Sequence, residues 1–197
     1  MYSREFLAGI SEEDIRRILT IEHSDPHSVL GVHPARIHGQ EGVAVRAYHP
    51  DAVTAVMIVE GEGIPMEPSG AHGLFWKWLP GRRLPLSYRI SYEFYDGSTW
   101  AADPPYRFAP SLGDMDLHLA GEGKHFTLYE KLGAHPMEMD GIQGTAFAVW
   151  APNAKRVSVI GDFNNWDGRL YPMRSMGGSG IWELFIPGIG VGRLYKY

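Results

Sequence analysis

The chain has no cysteine among its 197 residues. Without cysteine, disulfide bridges and thiolate metal sites are excluded, which fits a reducing compartment. No stretch approaches the ~18 uncharged residues of a membrane-spanning helix. The charged first residues are not followed by the apolar segment of a secretion signal. We therefore expect a cytoplasmic protein that does not bind or cross a membrane.

Positive charge is also scarce and dispersed. The net charge is -5 and lysines and arginines stand singly or in pairs, so the sequence offers no basic patch for nucleic acid. The nine histidines lack metal-ligand spacing. The glycines at 188–192 lack the spacing of a dinucleotide-binding loop, and no Ser, His and Asp set is suggested. The sequence predicts no catalytic residue, no metal ion and no cofactor.

Most of the chain has the pattern of β-strands. One amphipathic helix is predicted where Ser11 and Asp14 form a capping box before Ile15 and Ile18. After residue 26, runs of about four to eight β-branched and aromatic residues are separated by Gly, Pro, Asn and Asp, and helical periodicity does not return. We expect an all-β protein with a short N-terminal helix.

An internal repeat divides the chain. Three pairs of segments recur: 30–34 and 132–136, 42–50 and 144–152, and 73–80 and 180–187. The first two pairs are separated by 102 positions and the third by 107, so the second copy contains an insertion, which falls within 161–173. Repeats of about 100 residues made of short strands are typical of immunoglobulin-like sandwiches.

The repeat predicts two immunoglobulin-like β-sandwiches in tandem. We expect the first sandwich, with its leading helix, at 1–109 and a linker at 110–124, where glycine and proline are frequent and no periodic pattern appears. The second sandwich should occupy 125–197. A further strand pair, turning at Asp96 and Gly97, is predicted for the first copy.

The second copy should be truncated at its C-terminal end, because the sequence stops two residues after Tyr195. The strand at 194–197 should then form an unpaired edge. The inner face around Val149 and Ile160 should be only partly covered by other side chains.

Trp166 is the first candidate for a binding role, because it lies among amides and acids in the inserted loop rather than in an alternating strand. An indole face packs on the apolar face of a sugar ring, while amides such as those of Asn164 and Asn165 bind hydroxyls. Lys196 should offer a donor opposite its tyrosine neighbours. The alternatives are that Trp166 folds back over its own loop and that Lys196 is an ordinary solvated lysine.

The other tryptophans divide into core and surface candidates. Trp150 and Trp182 alternate with apolar residues and are predicted core residues. Trp76 and Trp78 share one strand face and should also be packed. Trp100, beside a turn, is a weaker second candidate for a glycan contact.

Three stretches of the chain form recognisable motifs: Asp-Pro-His-Ser-Val-Leu-Gly-Val-His at 25–33, Leu-Gly-Ala-His-Pro at 132–136, and the stretch 146–169 with its Gly-Asp-Phe-Asn-Asn-Trp-Asp motif. In these motifs the sequence resembles the amino-terminal half of bacterial glycogen branching enzymes. The resemblance covers essentially the whole chain. The second half is similar to the starch- and glycogen-binding module that precedes the barrel in many alpha-amylase-superfamily enzymes, and the first half narrows the resemblance to branching enzymes with a duplicated front end.

This resemblance implies a function and its limits. Such enzymes cleave an alpha-1,4-glucan and re-attach the segment as an alpha-1,6 branch during glycogen biosynthesis, with retaining chemistry. Their catalytic carboxylates lie on a downstream (β/α)8 barrel, so this chain alone should be inactive. The family's glycan contacts match at Trp166 and Lys196. The implied partners are alpha-glucans such as glycogen and maltooligosaccharides, bound weakly, and the downstream barrel.

Two other functions are compatible with the sequence. The chain could be a stand-alone alpha-glucan-binding regulatory module, or a structural spacer of immunoglobulin-like domains with its aromatic residues in the cores. Glucan-binding assays, and tryptophan fluorescence in the presence of maltoheptaose, discriminate between these functions.

Overall fold

The structure, a computed structural model, describes residues 2–197. It divides into two compact units. Unit 1 holds the chain up to Thr20 together with His27–Arg107, and unit 2 holds Ile21–Pro26 and Phe108–Tyr197. All paired strands of the described residues are antiparallel, and α-helices are few, which confirms the predicted all-β class. No helix within residues 2–197 is long and apolar enough to cross a membrane.

Unit 1 contains one α-helix and two four-stranded sheets. Its elements are α1 (Glu12–Leu19), β1 (Gly31–Ile37), β2 (Gln40–Tyr48), β3 (Ala52–Val59), β4 (Glu62–Pro65), β5 (Glu67–Pro68), β6 (Leu74–Pro80), β7 (Arg89–Phe94) and β8 (Thr99–Ala102). The strand orders are β1-β2-β6-β5 and β4-β3-β7-β8. Single 3-10 turns lie at Pro26–Ser28 and Pro105–Arg107.

The predicted capping box begins α1. The backbone N–H of Asp14 donates to Ser11 Oγ at 3.1 Å, and the N–H of Ser11 donates to the Asp14 carboxylate at 2.9 Å. Both bonds satisfy N–H groups that would otherwise lack a partner at the start of the helix. The helix buries Ile15 and Ile18, the two residues that the sequence pattern places on its apolar face.

Both faces of the first sheet of unit 1 are covered. On one face, Val45 and Phe75 pack against Met57 and Ile90 of the second sheet, which forms the core of the sandwich. On the opposite face, a second apolar cluster joins the sheet to the N-terminal segment and α1. A buried arginine, Arg46, lies in this second layer and fixes the segment to the sheet.

Arg46 holds the N-terminal segment through its backbone. Its guanidinium donates to the carbonyl oxygens of Phe6 at 2.9 Å and Ala8 at 2.5 Å, and it lies 5.8 Å from the centre of the Phe6 ring. Burial lowers the pKa of Arg46 to about 10, so the side chain keeps its charge at neutral pH. The segment before β1 is therefore an integral layer of unit 1.

Unit 2 repeats this plan, with equally long strands in its larger sheet and much shorter strands in its second sheet. Its elements are α2 (Asp114–Gly121), β9 (Gly133–Met139), β10 (Ile142–Trp150), β11 (Ile160–Gly161), β12 (Arg174–Ser175), β13 (Ile181–Pro187) and β14 (Tyr195–Lys196). One sheet has the order β12-β13-β10-β9 and the other consists of β11 and β14. Single 3-10 turns lie at Leu128–Glu130 and Gly177–Ser179.

The structure preserves the sequence repeat down to its hydrogen bonds. Strand β1 corresponds to β9, β2 to β10, and β6 to β13. A ring nitrogen of His33 lies 3.0 Å from the Leu30 carbonyl oxygen, and the same contact joins His135 to Leu132 at 2.8 Å. The glycine inside the first turn, Gly31, has a φ of 95°, and its counterpart in the second copy has a φ of 102°. Residues other than glycine rarely adopt such positive φ values.

The segment expected to be a linker, 110–124, differs from that expectation. It contains α2 and belongs to unit 2, where Leu112 and Leu117 pack against Ala148 and Ile181 of the sheet. This layer covers the same sheet face that the N-terminal segment covers in unit 1. The sequence pattern did not indicate the helix, because α2 is short and offers few apolar side chains to its sheet.

The two-stranded sheet of unit 2 is partly closed. Strand β14 pairs with β11, so the strand expected to be an unpaired edge has a partner on one side. The Tyr197 hydroxyl donates to the carbonyl oxygens of Gly133 and Ala148 at 2.8 and 3.1 Å. Val149 and Ile160, expected to be short of cover, are partly buried. The second sheet still has two-residue strands where unit 1 has longer ones.

Candidate functional site

The inserted loop of unit 2 forms a tight turn that projects Trp166. The backbone N–H groups of Asn164 and Trp166 both donate to the Gly161 carbonyl oxygen, at 3.2 and 2.9 Å. Asn165 and Trp166 have φ values of 54° and 60°. This left-handed conformation is unfavourable for residues with side chains, and for tryptophan especially, so the surrounding hydrogen bonds must hold the turn.

Asn164 supplies those bonds. It is only 4% exposed, and its side-chain oxygen accepts from the Gly161 N–H at 2.8 Å. Its amide nitrogen donates to the carbonyl oxygens of Val159 at 3.1 Å and Asp167 at 3.0 Å. The amide is used inside the protein, so the expected glycan contact at Asn164 is replaced by a role in shaping the loop.

Removing the Asn164 amide should therefore destabilise unit 2. Asn164→Ala leaves the Gly161 N–H and the Val159 carbonyl oxygen without this partner, and each unpaired buried group costs about 1–3 kcal/mol. We expect the free energy of unfolding to fall by about 2–4 kcal/mol, measured by urea denaturation. Asn165→Gly is the control, because it removes the exposed neighbouring amide and glycine tolerates the left-handed backbone there; it should change the free energy of unfolding by less than about 0.5 kcal/mol. Equal effects of the two substitutions would contradict the assigned role.

The structure brings two predicted site residues together. Trp166 is 44% exposed, and the Lys196 ammonium lies 5.8 Å from the centre of its ring. Lys196 reaches this position because its residue pairs with Ile160, directly before the loop. A lysine near an indole face is attracted by the ring's quadrupole. We call Trp166, Lys196 and the exposed Asn165 the Trp166 surface.

The charged groups that flank the Trp166 surface are mostly paired with each other. The Asp167 carboxylate accepts from Arg169, with a closest distance of 2.6 Å, and Asp162 lies 3.6 Å from Arg193. Neither pair leaves a strong net charge next to the indole. The flanking pairs therefore add little net charge to that of the Lys196 ammonium, which belongs to the surface itself.

Trp100, the weaker candidate, lies in unit 1. It is on β8, and its ring is 43% exposed. Among the predicted core tryptophans, Trp182 and Trp76 are buried and Trp78 is partly buried, whereas Trp150 is 60% exposed. The prediction for Trp150 was wrong because strand alternation identifies a face of the sheet but does not show how far the covering layer extends along it.

The described residues hold no group of three or more His, Asp or Glu side chains that could bind a metal ion. The arrangement around Trp166 can stack on and hydrogen-bond to a ligand, and it contains no paired acid and base.

Two family models match the chain. Residues 11–106 match the N-terminal domain of the alpha-1,4-glucan branching enzyme GlgB, and residues 131–197 match carbohydrate-binding module 48, the isoamylase N-terminal domain. The chain carries the amino-terminal region of the GlgB family. Trp166 and Lys196 lie within the carbohydrate-binding module. Residues 108–130, including α2, lie outside both matches, although they belong to unit 2.

Curated GlgB proteins share nearly half of their aligned residues with this chain. The 1,4-alpha-glucan branching enzyme GlgB of Cereibacter sphaeroides is 47% identical over 191 residues, covering 95% of this chain and 25% of that protein. GlgB 1 of Streptomyces coelicolor is 48% identical, covering 93% of this chain and 23% of that protein. The chain thus spans about a quarter of the length of these GlgB relatives.

Proposed function

We propose that this chain is the non-catalytic front part of a cytoplasmic 1,4-alpha-glucan branching enzyme, in which it holds alpha-glucan. The whole enzyme transfers alpha-1,4-glucan segments to form alpha-1,6 branches in glycogen. The observation that carries the proposal is the Trp166 surface, an exposed indole and an ammonium group side by side within a carbohydrate-binding module.

The Trp166 surface has the parts that sugar binding needs. The exposed indole face offers a flat apolar area for the CH face of a glucose ring. Lys196 provides up to three donors for hydroxyl groups, and Asn165 provides both donors and acceptors. The buried Asn164 amide fixes the loop in advance, so less conformational entropy is lost when a glucan binds.

The expected affinity is low. A single stacking platform with a few polar contacts only slightly exceeds the entropic cost of association, which gives a dissociation constant of roughly 0.1 to 1 mM or weaker. Weak binding suits a part that guides a long polymer with many equivalent segments, since each segment must also be released.

Branching itself requires residues that this chain does not contain. A (β/α)8 barrel is built of eight parallel strands, whereas every strand pair in residues 2–197 is antiparallel. The proposed partner is accordingly a catalytic barrel, which supplies the nucleophile and the acid/base. This chain supplies binding and support.

Trp166→Ala should remove most of the glucan binding without unfolding the protein, because the exposed indole contributes the stacking face but little of the core. Affinity electrophoresis through a gel containing glycogen measures the effect, and we expect at least a roughly tenfold loss of affinity, equivalent to about 1.4 kcal/mol. Trp150→Ala is the matched control, since it removes another exposed tryptophan of unit 2 from a different sheet.

Two results would contradict the proposed site. Unchanged retardation of Trp166→Ala in the glycogen gel would place the binding elsewhere. Equal losses in Trp166→Ala and Trp150→Ala would indicate non-specific contact between exposed indoles and the polymer.

A further inference from the structure

Unit 1 presents an aromatic platform of its own. The Trp100 ring lies almost parallel to that of Tyr92, with an interplanar angle of 16° and ring centres 6.2 Å apart. Tyr92 is buried in the core of the sandwich. Trp100 is 43% exposed, so part of its flat indole ring is open to solvent beside the buried Tyr92.

The position of Trp100 is fixed before any ligand binds. The buried His49 ring packs edge-on against the Trp100 ring, with centres 6.0 Å apart, and also contacts Tyr92 and Phe94 at 5.2 and 4.9 Å. Strand β8 pairs with β7 through the register Tyr92–Trp100. A ring that packs against two buried neighbours, His49 and Tyr92, loses little freedom on binding, which lowers the entropic cost.

A second stacked pair borders the same hairpin. Tyr95, directly after β7, is 77% exposed, and its ring is stacked on that of the exposed His72, with an interplanar angle of 19° and centres 6.4 Å apart. Tyr95 and His72 add hydroxyl and imidazole groups that donate and accept hydrogen bonds. The hairpin and the neighbouring His72 thus present flat rings beside groups that form hydrogen bonds.

From this geometry we infer that unit 1 contains a second alpha-glucan-binding platform, formed by Trp100, Tyr95 and His72. The ligand is a neutral alpha-1,4-glucan whose glucose rings stack on the exposed indole face. This inference rests on the proposed function in taking alpha-glucan as the ligand, but it concerns another unit and shares no residue with the Trp166 surface.

A neutral sugar fits this platform better than a protein segment does. Protein interfaces of stable complexes bury about 800 Å² on each partner, and the platform is a few side chains on one hairpin. Sugar rings need only one ring face and a few hydroxyl contacts. The small size of the platform limits it to weak binding. The platform would add a second contact on a long glucan chain.

The test is a titration with maltoheptaose, followed by the indole N–H signals of the tryptophans in a nitrogen-15 NMR spectrum. The background is Trp166→Ala, which removes the surface in unit 2. We expect the Trp100 signal to shift with increasing sugar and the Trp150 signal to stay in place. Adding Trp100→Ala should weaken the remaining affinity by at least about tenfold. Trp100→Phe keeps a ring over Tyr92 and should give an intermediate loss.

The outcomes separate the two proposals. If Trp166→Ala already abolishes all binding, the Trp166 surface stands and the platform in unit 1 is overturned. If Trp166→Ala has no effect while Trp100→Ala removes the binding, the platform stands and the proposed site in unit 2 fails. If the unsubstituted chain does not bind maltoheptaose, both are overturned. Loss of binding in Trp100→Ala with full retention in Trp100→Phe would also overturn stacking on the indole, because a mere packing role needs only some ring over Tyr92.

Discussion

Glu183→Ala should unfold unit 2 under conditions in which unit 1 remains folded. The Glu183 side chain is fully buried. It accepts hydrogen bonds from the backbone N–H of Ser111 at 3.1 Å, from the Ser111 hydroxyl at 2.8 Å and from the Arg174 guanidinium. Arg174 in turn donates to the Phe108 carbonyl oxygen at 3.3 Å. These bonds fix the segment before α2 to the outer face of the sheet.

The expected effect is large because a charge loses its partner inside the protein. Removing one member of a buried ion pair costs about 3–5 kcal/mol, which approaches the whole stability of a small domain, about 5–15 kcal/mol. Urea denaturation followed by the NMR signals of each unit measures the loss separately for unit 1 and unit 2.

Two controls make the cause identifiable. Glu60→Ala removes an exposed carboxylate of unit 1 whose nearest charged partner, Arg82, is 3.8 Å away, and it should have little effect. The pair Glu183→Leu with Arg174→Met removes both buried charges and should recover part of the loss. A Glu183→Ala protein as stable as the parent would contradict the view that this ion pair holds the segment.

Hydrogen exchange should be at least about tenfold faster in the small sheet of unit 2 than in the corresponding sheet of unit 1. Strands β3 and β7 pair along six residue pairs, with β4 and β8 outside them. Strands β11 and β14 share two residue pairs. Fewer neighbouring strands leave less burial and fewer hydrogen bonds to break during local opening.

Native-state hydrogen exchange followed by NMR measures the exchange rates in both sheets. The sequence repeat identifies which positions of the two units correspond. Ile58 pairs with Arg89 in unit 1 as Ile160 pairs with Lys196 in unit 2. Amides of β10 and β13, in the larger sheet of unit 2, serve as the internal control and should exchange more slowly than those of β11 and β14. Equal protection of the two small-sheet positions would mean that unit 2 is closed by contacts other than those described.

Local signals and the repeat predicted much of the fold. The capping box at Ser11 and Asp14 is a complete local motif, so it could be recognised without knowledge of the tertiary structure. The 102- and 107-residue offsets carried the correspondence between the strands of the two copies. These features depend on residues close in sequence or on comparison of one copy with the other.

What the sequence did not predict depends on contacts between distant residues. The packing of α2 on the sheet needs Leu112 and Ala148, which belong to segments far apart in the chain. The exposure of Trp150 depends on where the covering layer ends. The amide of Asn164 has the same chemistry whether it binds a sugar or its own loop, and only the structure shows the loop bonds.

The candidate site was predicted in its types of residue but not in its geometry. Trp166 stood out because a tryptophan in a polar loop lacks strand alternation. Its proximity to Lys196 depends on the pairing of β11 with β14, which joins positions 36 residues apart in the chain. Trp100 was the weaker prediction, and its parallel contact with Tyr92 could not be inferred from the hairpin pattern alone.

A saturation-transfer NMR experiment on maltoheptaose mixed with this chain tests the proposed function most directly, because it reports binding and chemical change on the same sugar. We predict transfer of saturation from protein to sugar protons, reduced strongly by Trp166→Ala and not by Trp150→Ala. The anomeric region should show no alpha-1,6 signal after long incubation, since the chain holds glucan without converting it. Absence of transfer, or the appearance of alpha-1,6 branch signals with the purified chain, would contradict a glucan-holding, non-catalytic role.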